Sequence, residues 1–320
     1  MRKITNNFRG YKTFSYFCTP KIENRTLNRY RFTFRIACWA LASLLLAGCG
    51  ENAAEQAARQ RREQQIADSL ALKVAVTPTL DCLPLYLADE EGWFEREEVS
   101  VLLRPFTAQM DEDTALLRHH VEGMTTDRER ISWIKEQGMA VRQVAATSLK
   151  WQLITNKTAR IKQLKQLDDK MLAMTRRSFT DMLARKVVDS AGLLAERVFR
   201  IQVNDVLVRL GMLENGIMDA LLLPEPQATQ ARLAGHPVLL DTDSMGLTPG
   251  IIVFSEEAMA DSMRQRQVEL FLQVYYAACD TIARRGLAPY RDLIVRCCRV
   301  RPETVDSIPL PTFPPQPSEP

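Results

Sequence analysis

Histidine is scarce in this chain, with three in 320 residues. His119 and His120 are neighbours, so on a helix they point in different directions and cannot share a metal face. They read as helix-end or surface residues, and His236 stands alone. No Gly-rich phosphate loop, His-Glu metal pair or nucleophile elbow occurs. The sequence therefore asks for no cofactor, no metal and no catalytic residue. No apolar run reaches the roughly 20 residues that a bilayer-spanning helix needs. The chain also lacks a basic-aromatic cluster of the kind that holds nucleic acid.

Its slight positive charge has a local source. Of 42 Lys and Arg and 39 Asp and Glu, residues 1–48 hold nine basic and one acidic. Without them 33 basic and 38 acidic residues remain, a net charge of −5. The basic balance belongs to the N-terminal segment and argues for no polyanionic partner. Past residue 48 the cysteines are Cys49, Cys82, Cys279, Cys297 and Cys298. Their spacing fits no zinc pattern. They read as small buried apolar residues, with a Cys279 bridge to Cys297 or Cys298 as the alternative.

Arg25, Arg29, Arg31 and Arg35 precede a short apolar run from Ile36 to Ala47, which closes on Gly48-Cys49. A basic flank, a short apolar stretch and small residues at its end make a secretory signal. Leu46-Ala47-Gly48-Cys49 resembles the bacterial lipobox, which implies lipidation of Cys49 and removal of residues 1–48. The stretch before Arg25 is longer than such a leader needs, so translation is expected to start downstream of Met1. "GENAAEQAARQRREQQIADSL", from Gly50 to about Leu70, sustains no apolar face and reads as a solvated tether, helical in parts.

From Leu72 onward, strand and helix patterns alternate. "LKVAVTP" and "VSVLLRPF" are strand-like, and Leu83, Tyr86, Leu87 and Phe94 between them have helical spacing up to Gly92. "DEDTALLRHHV", Asp111 to Val121, starts acidic and ends in histidines, which suits a helix dipole. "EGMTTD" gives a short strand and turn. "VRQVAATS", "WQLITNK", "KMLAM", Val198–Val203, "IMDALLLPEP", "HPVLLDTD" and "PGIIVFS" read as further strands, separated by three helical stretches. Glu256 to Gly286 is helical, and "PLPTFPPQPSEP" holds too many prolines for helix or central strand. This alternation predicts an α/β protein whose mostly parallel sheets carry helices on their faces.

The order of motifs is more specific. "LKVAVTPTLDCLPLYLADEEGWFEREEVSVLL" resembles the opening of the type 2 substrate-binding proteins of ABC importers that serve sulfonates, nitrate and thiamine-precursor pyrimidines. Pro84, Ala88, Gly92, Trp93 and Phe94 occupy that family's positions, and "LLLPEPQATQARLAGHPVLLDT" resembles its Glu-Pro-x-Ala-Thr segment. The resemblance covers about Leu72 to Ser255. It implies a two-lobed type 2 periplasmic-binding-protein fold with solute between the lobes. Expected parts are a signal segment at 1–48, a tether at 49–71 and lobe I from 72–148. Lobe II follows at 149–243, then a return to lobe I with C-terminal helices at 244–308, and a Pro-rich tail at 309–320.

Ligands of open α/β sheets bind at strand C-termini and helix N-termini, where backbone N–H groups are free. Four segments have that placement: Asp81-Cys82, Thr125-Thr126-Asp127, Ser178 with Thr180, and Glu225 between two prolines. Each of the first three has a plainer reading as a helix cap. Glu225, if buried, favours a cationic or hydrogen-bond-donating group. The implied protein is a lipid-anchored monomer in the cell envelope, on the periplasmic side. It takes a small organic solute and presents it to an ABC permease and ATPase. Two rivals stay open: a same-fold enzyme of precursor synthesis, and a lipoprotein that binds a protein partner.

Overall fold

A computed structural model of the chain describes residues 55–316. The expected signal segment, Cys49 and the first residues of the tether lie outside them. The chain divides into Met1–Gln65 and Ile66–Pro320. Helix α1 is described over residues 55–70 and is exposed almost throughout, as a sequence with no apolar stripe dictates.

The first sheet is built from β1 (Leu72–Val76), β2 (Val101–Pro105), β3 (Gly123–Asp127), β4 (Val141–Ala146) and β10 (Gly250–Ser255). Its strand order is β2-β1-β3-β10-β4. The second holds β5 (Trp151–Thr155), β6 (Lys170–Met174), β7 (Val198–Gln202), β8 (Ala220–Pro224) and β9 (Val238–Asp241), in the order β7-β6-β8-β5-β9. β1 pairs parallel with β2 and β3, and β6 pairs parallel with β7 and β8. In each sheet one strand is antiparallel to both neighbours: β10 in the first, β5 in the second. These are the strands that enter from the other sheet. A strand that crosses over directly has no helix to turn it round, whereas parallel neighbours need one. The sheets are therefore mixed: β1, β2 and β3 pair in parallel in one and β6, β7 and β8 in the other, whereas β4 and β9 pair only with the antiparallel strand.

Helices α2 (Leu83–Glu90), α3 (Trp93–Arg96), α4 (Gln109–Leu117) and α5 (Arg128–Glu136) belong with the first sheet. α6 (Phe179–Ser190), α7 (Val206–Glu214) and α8 (Gln227–Leu233) belong with the second. α9 (Glu256–Ala260), α10 (Ser262–Arg285) and α11 (Arg291–Cys298) follow β10. The helical pattern after Leu83 is two helices, because Gly92 at φ 63 turns the chain where other residues resist. The helical stretch after Glu256 likewise breaks at Asp261, whose carboxylate caps α10 through the Arg264 N–H.

Two large cores form, one per sheet. In the first, Phe271 of α10 stacks on Phe94 at 5.7 Å and meets Phe254 edge-on. In the second, β6, β8 and the apolar face of α6 pack together. Cys82, Cys279, Cys297 and Cys298 are all free. The alternative of a Cys279 bridge is not realised: Cys279 and Cys298 serve as core atoms under α10 and α11. The chain passes between the sheets at residues 147–150 and 242–249, and the Pro-rich segment runs on without regular structure as far as residue 316.

Candidate functional site

Where β1 ends, Leu80–Cys82 makes a single buried turn before α2. Asp81 does not cap α2, whose N-cap is Cys82 with no side-chain bond. Its carboxylate instead accepts from the hydroxyls of Thr79 (2.6 Å) and Thr147 (2.8 Å), the latter on the first crossing segment. Cys82 lies beside it, with Sγ 3.3 Å from Thr125 Oγ1 on β3. Burial first, and then the Asp81 charge, push the Cys82 thiol up to about 12. It is therefore held as a thiol at neutral pH.

Asp127 ends β3 and does cap α5, accepting the Arg130 N–H at 3.1 Å. The same oxygen accepts the Phe179 N–H at 3.0 Å, a bond from the start of α6 across to the first sheet's strand end. Its other oxygen accepts from Gln109 Nε2 at 2.9 Å, and Thr126 lies beside that amide. Ser178 is the N-cap of α6, accepting the Thr180 N–H at 3.1 Å. Thr180 Oγ1 in turn accepts the Thr175 N–H. Asp81, Cys82, Thr125, Thr126, Asp127, Ser178 and Thr180 thus line two facing strand ends. The hydrogen bond between Asp127 and Phe179 joins them.

Glu225 is placed differently. Its carboxylate is taken up by its own helix start, accepting from the Thr229 N–H (3.0 Å) and hydroxyl (2.6 Å), and it pairs with Arg232 at 2.8 Å. The carboxylate expected to meet a ligand's donor group thus already has donors on α8, at which the turn between the prolines aims it. Only its carbonyl reaches the first lobe, accepting the Leu80 N–H at 2.8 Å. It also lines a cavity of about 90 Å³ with Asp81, Ser148 and the Pro-rich segment at Pro309–Thr312.

Several residues of the seam were not singled out in the sequence. Arg130 is 1% exposed. It donates through Nε to Asp113 at 2.7 Å and through Nη1 to the Arg176 and Arg177 carbonyls at 2.7 and 3.2 Å. It therefore ties an ion pair of the first lobe to the turn before α6 in the second. Thr107 and Asp205 make another bond across the seam, as do Gln227 and Pro78. Glu112, on α4, is 1% exposed, and its carboxylate makes no hydrogen bond among the described residues. Ser148 Oγ, Trp151 Nε1 and Asp113 Oδ1 are buried without partners as well.

The acidic start of "DEDTALLRHHV" is only partly open to water: Asp111 is exposed, whereas Glu112 and Asp113 share the buried face of Ala115 and Leu116. The available signal was acids at i, i+3 and i+4 from apolar residues. Arg130 stands likewise four residues before buried Ile134, and Arg209 four before Leu213.

Electrostatics in the seam run one way. Burial raises the carboxyls of Asp81, Glu112, Asp113 and Asp127, with hydrogen bonds opposing it at Asp81 and Asp127 and Arg130 opposing it at Asp113. Glu112 lies well above the ordinary range: burial acts first, and the Asp113 and Asp81 charges add to it. No group of three or more metal-ligating side chains occurs among the described residues. No helix among them is long and apolar enough to cross a membrane.

The same arrangement of two sheets recurs in solved structures. The alkanesulfonate-binding protein SsuA from Xanthomonas axonopodis pv. citri superposes with a TM-score of 0.66 at 16% identity, over 77% of this chain and 86% of that one. SsuA from Escherichia coli gives 0.63 at 16% identity over the same shares of each chain. The nitrate-binding protein NrtA from Synechocystis PCC 6803 gives 0.62 at 12% identity, over 73% and 68%. These likenesses establish the periplasmic-binding-protein fold. No curated protein sequence matches the chain significantly. A family profile described as "NMT1/THI5 like" matches residues 79–285, well over half of the sequence, and on that match the chain belongs to the NMT1/THI5-like family.

Proposed function

We propose that this chain is the solute-binding component of an ABC-type importer. It is exported and held at the cell envelope through lipid on Cys49, and it binds a small organic solute between its lobes. One observation carries the reading. The strand ends of two sheets face each other across a seam that is tied by single hydrogen bonds and holds buried polar atoms without partners. Such atoms cost about 1–3 kcal/mol each unless something satisfies them, and a solute enclosed between lobes does so. The neighbouring folds named above bind alkanesulfonates and nitrate, which supports the transport reading. The high Cys82 pKa supports binding over nucleophilic chemistry.

The work done is then a shift of population between open and closed lobes, with a permease and its ATPase recognising the closed form. The crossing segments at 147–150 and 242–249 are the places for a hinge. The protein acts as a monomer in this scheme, with the tether spacing it from the membrane.

The test is native mass spectrometry of the full chain purified in detergent from a bacterial host, with small-angle scattering before and after ligand removal. A retained small molecule, expansion on its removal and an acyl mass on Cys49 are the expected results. A chain that retains nothing, keeps its dimensions and gains no stability from any solute class would sink the importer reading. Conversion of the retained molecule to a product would establish the same-fold enzyme instead.

A further inference from the structure

Beyond α11 the chain is fastened to the second lobe. Gln227 of α8 donates to the Cys298 carbonyl at 3.0 Å, and Gln230 of α8 accepts the Arg301 N–H at 2.9 Å. The Arg301 guanidinium pairs with Glu214 of α7. After Ile308 the fastening stops. Among the described residues, 309–316 take part in no backbone–backbone hydrogen bond. Pro309, Pro311, Pro314 and Pro315 have no N–H to give. Apolar contact holds the stretch instead: Pro311 is buried, and Phe313 packs on the first core. Such a stretch lifts away at little cost, because few contacts and no backbone bonds are broken.

The same stretch covers the cavity of about 90 Å³. With residues 309–312, the cavity is lined by Asp81 of the first lobe, Gln152 and Asp241 of the second, and Ser148 of the first crossing segment. Asp81 and Asp241 already accept from Thr147 and Gln152. Ser148 is 6% exposed, and its hydroxyl is buried without a partner among the described residues. Leu310, in the covering stretch, is 50% exposed, so a thin layer parts the cavity from water. On the reading that the solute lies between the lobes, we propose that residues 309–312 are a displaceable wall of its site. Seated, the wall limits the size of the solute. Lifted, it opens a way in beside the crossing segments. A cavity of about 150 Å³ takes benzene, so on the same scale this one takes roughly four non-hydrogen atoms. The solute is then a small polar molecule whose hydrogen-bonding group meets Ser148.

The experiment reads access to the cavity by thiol labelling of the full chain in detergent. Ser148→Cys is combined with the native wall, or with Pro309→Gly, Leu310→Gly and Pro311→Gly together. Methyl methanethiosulfonate and fluorescein maleimide are the probes, and peptide mapping follows position 148. With the native wall the small reagent should react and the maleimide should be held out. The glycine wall should speed labelling by about tenfold or more, because glycine frees the lifted chain that proline restrains. Gln152→Cys serves the same purpose if Ser148→Cys folds poorly. Equal rates with both walls in folded protein overturn the inference and leave the importer reading in place. The native mass spectrum of wild type is the second arm. A retained molecule of about four to six non-hydrogen atoms is expected. One of more than about ten overturns the size limit while keeping the importer reading. An empty spectrum counts against that reading, and the labelling rates alone then decide the wall.

Discussion

Replacing Arg130 by Met tests the seam directly. The Arg130 and Asp113 side chains are 2% and 0% exposed, so water screens their pairing little. Removing the guanidinium strands a buried carboxylate, which costs about 3–5 kcal/mol. The Arg176 and Arg177 carbonyls lose their donor as well, at about 1 kcal/mol each. The stack of Arg130 on Trp133, at 4.2 Å, is exchanged for a methionine contact of similar size. The expected loss is roughly 5 kcal/mol, or about 7–9 °C in Tm for a chain of this length. Urea unfolding followed by circular dichroism reads it. The loss should be smaller at pH 5 than at pH 8, because Asp113 can then take a proton in place of its lost partner. An apolar pair of similar volume often replaces a buried ion pair at little cost. Asp113→Leu with Arg130→Met should therefore regain most of the 3–5 kcal/mol assigned to the pair. A single variant that loses under about 1 kcal/mol, or a double variant no more stable than the single, would refute the assignment of a buried pair holding this seam.

Three further outcomes follow from the same geometry. Burial raises Asp81, Glu112, Asp113 and Asp127, so the native state holds protons that the unfolded chain has already lost. Their contribution favours folding at low pH and fades as pH rises through the folded values. For Asp113 the window is 3.8 to about 6. The urea midpoint should therefore rise between pH 8 and pH 5, and a midpoint that falls over that interval contradicts the seam's electrostatics. At Gly123 a methyl group would lie 2.5 Å from the Phe254 ring and 2.8 Å from the Val253 carbonyl. Gly123→Ala should accordingly cost about 1–3 kcal/mol in chemical unfolding, and a neutral result would mean that β3 and β10 do not pack at this distance. Iodoacetamide at pH 8 should mark half-buried Cys297 before Cys82, Cys279 and Cys298. Burial pushes the Cys82 and Cys279 thiols up to about 12. Peptide mapping of Cys82 alkylation in the folded chain would count against the closed turn at β1.

Local patterns in the chain were sufficient for the elements and for their family. The apolar runs of β1, β8 and β10 have few polar breaks because helices or other strands cover both faces of a central strand. Asp127 and Ser178 were legible as helix caps because a cap is a bond to an N–H two or three residues away. The Pro-Leu-Tyr-Leu-Ala-Asp-Glu-Glu-Gly-Trp-Phe order identified the opening of the fold for the same reason: each position answers to a neighbour within one or two turns.

The tertiary structure alone decided which of those residues meet and which are left without a partner. Asp127 capping α5 is a local fact, whereas its bond to the Phe179 N–H depends on two sheets being brought face to face. Glu225 stands between prolines with no donor nearby in the preceding chain, and the fold sets its carboxylate on Thr229 and Arg232 of its own helix. Glu112 belongs to an acidic helix start, yet it is enclosed with no donor among the described residues. The physical reason is one of range. Propensity, capping and periodicity act over a few residues and are written in the order of the chain. Burial and charge in the seam depend on groups that are far apart along it: Asp81 and Thr147, Arg130 and Arg176, Asp127 and Phe179.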